Sequence, residues 1–332
     1  MPRCQISNCP IAESGRCLEG RGSECPNLLP DKEIGETAQV QVGLVGGEVA
    51  GLPEPEFLPL HSGVPLDMIE AREIARRGRA VVLVLVGMHE CGKTSLIARL
   101  HQLFQGGPIG DLSFAGSRTL LRFEELNWKA TVESGQAAPG MERTSAQFDN
   151  SFLHLRVRDE TERKRIDLLI NDVSGETFRQ AVATQAVCES LLALRRADHL
   201  AVLLDCSAIA KATLRHAHVA KARDFVQRVV QHGQVGMHTA LHLVFSKWDE
   251  LKGAVAVVDK VEEEFQKAFS NKVGSLNQWR IAARPTDSSL PTADVIGQLF
   301  STWVKTSHQY PDSVLPPDSR YSYARDFCRF GL

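Results

Sequence analysis

Gly87-Met88-His89-Glu90-Cys91-Gly92-Lys93-Thr94 fits the spacing GxxxxGK[ST]. Glycines at those places permit a tight loop whose amide hydrogens converge on a polyphosphate. Lys93 adds a cation near the outer phosphates, and Thr94 offers a hydroxyl to Mg²⁺. Gly87, Gly92, Lys93, Thr94 and Ser95 are therefore the expected phosphate contacts. A second constellation, Asp172-Val173-Ser174-Gly175-Glu176, follows about 80 residues after the loop. A carboxylate at Asp172 can hold a water ligand of Mg²⁺, and Gly175 lets its backbone NH approach a γ-phosphate.

Two further clusters complete the chemistry. Ser246-Lys247-Trp248-Asp249 is a variant of the [NT]KxD pattern. Asp249 can accept two hydrogen bonds from N1 and the exocyclic N2 of guanine, whereas adenine has no matching donors and would leave the carboxylate desolvated and unpaired. The aliphatic stem of Lys247 can cover the base, and Ser246, in place of Asn or Thr, keeps a hydroxyl at the first position. Ala282-Ala283-Arg284 stands where a [ST]AK-like loop is expected, with the NH of Ala283 directed at the guanine oxygen. Between loop and DxxG, the stretch Gly106 to Asn150 has few long apolar runs and contains Glu142-Arg143-Thr144-Ser145. Thr144 is the expected second hydroxyl on Mg²⁺; Thr131 and Ser145 are alternatives, as is a lid that carries no metal ligand.

These residues need a scaffold that brings strand ends together. Val81–Val86 is a continuous apolar run, as expected for a strand buried on both faces of a mainly parallel sheet. Similar runs recur at His199–Asp205, Ala240–Ser246 and Gln278–Ala283, separated by helical stretches such as Ala208–Gln231 and Ala254–Phe269. Phe152–Arg158 and Arg165–Asn171 are joined by only a short polar segment, which predicts an antiparallel hairpin, because a parallel crossover needs a dozen or more residues. The expected fold is α/β and three-layered, with a mainly parallel sheet and one antiparallel edge strand. The helix after the loop presents Leu96, Ile97, Leu100, Leu103 and Phe104 on one face, so its N-terminus points at the phosphate site. A shorter helix is predicted over Leu66 to Arg77, stopped by Gly78.

The rest of the chain reads differently. Cys4, Cys9, Cys17 and Cys25 crowd residues 1–28 among glycines and prolines, with too few apolar residues for a core. Four thiolates around one structural Zn²⁺ would staple such a segment; free thiols in a tail are the alternative. Residues 29–64 read as a Pro- and Gly-rich arm, 65–308 as the catalytic-type domain, and 309–332 as a tail. The 332 residues carry a net charge of -2, and residues 1–28 balance three Arg against three Glu, which argues against a nucleic-acid or anionic-membrane partner. No apolar run approaches the roughly 20 residues of a membrane span. The N-terminus lacks the apolar stretch of a secretion signal, so a cytoplasmic, reducing location is expected.

Taken in order, the phosphate loop, threonine segment, DxxG, SKWD and AAR elements resemble the Ras-like branch of P-loop GTPases, the TRAFAC class, over about residues 79–308. Phe114-Ala115-Gly116-Ser117-Arg118-Thr119, Glu142-Arg143-Thr144, Asp172-Val173-Ser174-Gly175-Glu176 and Ala282-Ala283-Arg284-Pro285 resemble the bacterial double-GTPase type. That resemblance implies GTP and GDP as ligands, Mg²⁺ as cofactor, GTP hydrolysis, and a partner GTPase or effector in a conflict or signalling system. It also implies catalytic roles for Lys93, for Glu176 where many relatives of the class have a water-positioning Gln, and for an arginine. Arg143 is the first choice for that arginine, with Arg118 or a partner chain as alternatives.

Overall fold

The computed structural model describes residues 3–4, 28–29, 61–130, 149–251, 253–285 and 292–305. The chain divides into two compact units, Met1–Leu58 and Pro59–Leu332. In the first, Arg3 pairs with Leu29 and Cys4 with Leu28 in a two-residue antiparallel ladder. The expected zinc ligands Cys4, Cys9, Cys17 and Cys25 lie outside the described residues, apart from that backbone pairing of Cys4.

The second unit is a seven-stranded sheet with helices on both faces. Its strands are β1 (Arg79–Gly87), β2 (Leu112–Gly116), β3 (Leu153–Asp159), β4 (Lys164–Asp172), β5 (His199–Asp205), β6 (Ala240–Ser246) and β7 (Ser275–Arg280). They lie in the order β2-β3-β4-β1-β5-β6-β7. β4, β1, β5, β6 and β7 run parallel, while β3 is antiparallel to both β4 and β2. The predicted antiparallel hairpin is thus β3–β4. Its turn is fixed by Asp159, whose Oδ1 accepts the amides of Thr161 and Glu162 at 2.9 Å each.

β1 explains why its sequence reads as an unbroken apolar run. Val82, Val84 and Val86 face one core with Phe178, Phe225 and Phe265, while Val81, Leu83 and Leu85 face the other with Leu96, Leu100 and Trp303. Alternate side chains point to opposite faces, so a strand covered on both sides needs apolar residues at every position. The covering helices include α1 (Met68–Arg77), α2 (Lys93–Gly106), α3 (Leu120–Ala130), α4 (Gly175–Ala183), α5 (Gln185–Ser190), α6 (Cys206–Ala210), α7 (Ala212–Gln231), α8 (Val255–Phe269) and α9 (Thr292–Lys305). α1 begins two residues later than its apolar pattern suggests because Asp67 caps it. Glu70 N–H donates to Asp67 Oδ1 at 2.8 Å and Asp67 N–H returns to Glu70 Oε2 at 3.0 Å.

Three features differ from the sequence expectation. The stretch between loop and DxxG holds a strand, β2, and a helix, α3; β2 takes the sheet edge and leaves β3 one place inside it. The long helix predicted from Ala208 is split into α6 and α7 at Lys211. The last strand ends at Arg280 rather than Ala283. Ile281 N–H still makes the last ladder bond, to Phe245 O, but Ile281 O accepts from Trp248 N–H, one residue out of step, and the segment leaves the sheet there. Among the described residues no helix is long and apolar enough to cross a membrane.

Candidate nucleotide-binding site

Parallel strands that reverse their order around β1 open a crevice at their C-terminal ends, where α/β sheets take ligands. β1 delivers the loop 87–92 into that crevice. At Gly87 the backbone has φ 154, and a Cβ would stand 2.6 Å from Cys91 Sγ and 2.9 Å from Leu203 O, so only glycine fits. α2 starts at Lys93 with Gly92 as N-cap, and neither a capping side chain nor an acidic residue engages its first turn. Its orphan amides and the positive end of its dipole therefore favour an anion. Lys93 is 6% exposed and curls over the loop, donating to Gly87 O at 3.1 Å and to Met88 O at 3.4 Å. Burial pushes the Cys91 thiol above its ordinary value, an effect that the neighbouring Lys93 charge only partly offsets.

β4 brings Asp172 to the same rim. Thr94 Oγ1 donates to Asp172 Oδ2 at 3.4 Å, joining the loop to the DxxG segment. Gly175 then packs directly on the loop: a Cβ there would come 2.6 Å from His89 Cα and closer still to His89 N. Any side chain at 175 would push the two segments apart.

On the other side of β1, a cavity of about 200 Å³ is lined by Gly92, Ser95, Ser246, Lys247, Asp249, Glu250 and the run Ile281–Arg284. Its floor is cross-tied. Ser246 Oγ donates to Cys91 O at 2.6 Å, linking the SKWD segment to the phosphate loop. The Arg280 guanidinium lies 4.9 Å from the centre of the Trp248 ring and is itself held by Asp259 at 2.6 Å and Glu262 at 2.9 Å. Removing the Ser246 hydroxyl leaves the buried Cys91 carbonyl without its tether. Ser246→Ala is expected to lower the unfolding free energy by about 1–3 kcal/mol in denaturant titration, and an unchanged midpoint would show that the tether contributes nothing.

The family described as Double-GTPase 2 matches residues 81–304, a range that holds the loop 87–92, Asp172, Gly175 and the lining of the cavity. The chain belongs to the Double-GTPase 2 family. GTP is the nucleotide, and GTP hydrolysis the chemistry, that the family's description points to. No curated protein matches. Among solved structures, a crystal structure of a mutation variant of SsGBP aligns at a TM-score of 0.35 and 16% identity, covering 71% of this chain and 62% of that one.

Within this Double-GTPase 2 chain the expected site residues fall into groups. Gly87, Gly92, Lys93, Thr94, Asp172 and Gly175 meet around the loop, while Ser95, Ser246, Lys247, Asp249 and Ala283 meet around the adjoining cavity. The Ser246 hydroxyl is directed at the loop carbonyl rather than into the cavity. Glu176 is in the first turn of α4, where Gln180 Nε2 donates to its Oε1 at 3.4 Å on the exposed surface. Thr144, Arg143, Thr131 and Ser145 lie outside the described residues. Arg118 is anchored by its backbone, whose N–H donates to His154 Nδ1 at 3.0 Å. His154 pairs with Leu169, three residues short of Asp172 along β4. Among the described residues no cluster of three or more His, Cys, Asp or Glu could hold a metal ion.

Other residues at this rim were not singled out by their sequence. Arg122 of α3 shares a cavity of about 40 Å³ with Thr94 and Asp172. Asp205, at the end of β5, accepts from Lys247 Nζ at 2.8 Å and from Ser207 N–H at 2.8 Å. Its position as the last residue of a buried strand, like Asp172, was the available signal. The Asp205 amide in turn donates to His218 Nε2 at 2.9 Å, which requires a neutral imidazole protonated on Nδ1. Burial holds His218 below the usual histidine range.

Burial alone would raise the Asp205 carboxyl, but the bonds from Lys247 and Ser207 outweigh it and hold the group below its ordinary value. A carboxyl lowered on folding contributes stability that is complete above the unfolded value of about 3.9 and is lost as the pH falls through the folded value. Asp205→Asn should therefore flatten the acid limb of a plot of melting temperature against pH. An identical limb in the variant would mean that this pair does not contribute.

Proposed function

We propose that this chain binds GTP with Mg²⁺ and hydrolyses it to GDP and phosphate, as a cytoplasmic molecular switch. Its partner on this reading is a second GTPase or an effector protein in a bacterial conflict or signalling system, with neither a nucleic acid nor a membrane as ligand. One observation carries the reading: segments from three strand ends are bonded to each other at one rim, through Thr94 to Asp172 and through Ser246 to Cys91.

On this reading the Asp249 carboxylate accepts from guanine N1–H and N2–H, the Ala283 amide donates to the guanine oxygen, and the stem of Lys247 covers the base. Lys93, the α2 amides and the Gly175 amide hold the β- and γ-phosphates. Thr94 and Asp172 offer a hydroxyl and a carboxylate oxygen 3.4 Å apart, a hard donor pair that fits Mg²⁺; Thr144 would supply the second hydroxyl. When bound, the ion neutralises charge on the β- and γ-phosphate oxygens. Water attacks the γ-phosphorus in line as the bond to the β-phosphate oxygen breaks, and its proton passes to a γ-phosphate oxygen or to Glu176. Arg143 supplies charge to the transferring group. The Cys4, Cys9, Cys17 and Cys25 set holds a structural Zn²⁺ on the same reading, to be tested by metal analysis of the purified chain.

The outward setting of Glu176, bonded to Gln180, favours a second reading: a nucleotide-binding regulatory subunit that retains GTP without hydrolysing it. Single-turnover phosphate release from GTP, with and without Mg²⁺ and with the candidate partner added, separates the two. Mg²⁺-dependent release supports the switch. Tight GTP binding without release under every condition supports the regulatory subunit, and ATP competing equally with GTP refutes both.

A further inference from the structure

Asp149 is a buried carboxylate that the nucleotide chemistry above does not use. It stands just before β3 and is 6% exposed. Its Oδ1 accepts the Ser174 amide at 2.7 Å, and its Oδ2 accepts the Thr177 hydroxyl in a short bond. Its own carbonyl accepts from Asn171 Nδ2 at 2.7 Å. Ser174 Oγ donates to Thr177 Oγ1 at 2.9 Å and accepts Thr177 N–H at 3.0 Å. The donors therefore run in one direction, Ser174 to Thr177 to Asp149, and end on a group that only accepts when ionised.

A carboxylate so far from water is stabilised only if it is hydrogen-bonded, and here its two oxygens grip both flanks of one glycine. Ser174 precedes Gly175 and Thr177 follows it by two residues. Gly175 itself rests on the Met88–His89 backbone of the phosphate loop. The Asp149 bonds thus hold the Val173–Ser174 peptide on one side and the Thr177 side chain on the other, and so brace from both ends the short Ser174–Gly175 turn that carries the Gly175 amide.

We propose that Asp149 is a positioning residue for recognition of the third phosphate: it holds the Gly175 amide where a γ-phosphate can accept from it, while the β-phosphate and base contacts are made elsewhere. This rests on the reading of the site as a GTP site with Gly175 at the γ-phosphate. A general role in stability would weaken all nucleotides alike; a role at Gly175 would weaken triphosphate alone.

The test measures the affinity of the full chain for GDP and for a non-hydrolysable GTP analogue, with Mg²⁺, in wild type, Asp149→Ala and Asp149→Asn. Asparagine keeps the shape, and the hydroxyls of Thr177 and Ser174 can reverse to accept its amide, so this variant folds even if the alanine variant does not. The ratio of triphosphate to diphosphate affinity is expected to fall by about 10-fold in Asp149→Ala and by a smaller factor in Asp149→Asn, with GDP affinity held within about 3-fold. A parallel loss of both affinities, an unchanged ratio, or failure of both variants to fold overturns the proposal. A wild-type chain that binds GDP and the analogue equally well refutes the γ-phosphate reading itself, a result visible before any variant is made.

Discussion

Lys93→Ala should lower GTP affinity on the order of 10³-fold while the chain still folds. The Lys93 ammonium lies over the loop, bonded to Gly87 O and Met88 O and almost wholly shielded from water. In the proposed complex it exchanges or shares those carbonyls for phosphate oxygens. A hydrogen bond to a charged group contributes about 1.5–3 kcal/mol, and two such bonds lost together correspond to two to four decades in affinity. The folded chain loses less, because the bonds given up go to two neutral loop carbonyls, one of them only part-buried, and the cost of burying the ammonium goes with them. Titration calorimetry with GTP and a thermal melt on the same sample would check both halves. Retained GTP binding at wild-type strength would mean that the loop does not hold the phosphates.

Asp249→Asn should change which purine is bound. With the carboxylate, both oxygens accept from guanine N1–H and N2–H; with the amide, one acceptor becomes a donor that opposes the N2 amine. The loss of a charge-assisted pair and the gain of a donor–donor clash should weaken GTP by about 10²–10³-fold. Xanthine carries a carbonyl at C2 where guanine carries the amine, so the same amide can accept from N1–H and donate to that carbonyl. Xanthosine triphosphate should therefore bind the variant more tightly than it binds wild type, and competition against a fluorescent nucleotide would read the exchange. If GTP and xanthosine triphosphate keep their wild-type ranking, Asp249 does not read the base.

The two faces of β1 show why so much of the fold was legible beforehand. A strand covered on both sides is apolar wherever no polar partner is at hand: β5 and β6 are buried at every residue and mostly apolar, with His199 and His242 bonded to each other at 3.0 Å and Asp205 and Ser246 at the strand ends. β2 carries no such signature because it stands at the edge: of its five residues only Leu112 is buried. α3 hides for a related reason. Phe123 and Leu126 face the core, but Leu120, Leu121 and Trp128 are exposed, so its apolar pattern does not mark a single buried stripe.

At the proposed site, motif spacing singled out the glycines, Lys93, Thr94, Asp172 and Asp249, because on that reading a polyphosphate and a purine demand those residue types at those spacings. Asp149 and Asp205 escaped because what they do depends on which residues the fold sets opposite them. Asp149 meets Ser174 across 25 positions of chain, and Asp205 meets Lys247 across 42. No local pattern announces such a partner.

The step in register along β2 has a consequence for association between molecules. Phe114 opposes Val157 and Gly116 opposes Arg156, so Ala115 is an extra residue with no partner of its own on β3. The bulge twists and shortens the rim of the sheet, and a foreign strand laid against it would find its amides out of step. Deleting Ala115 would straighten that rim into an even template, and the shortened protein should then form end-to-end oligomers in light scattering at concentrations where the parent stays dispersed.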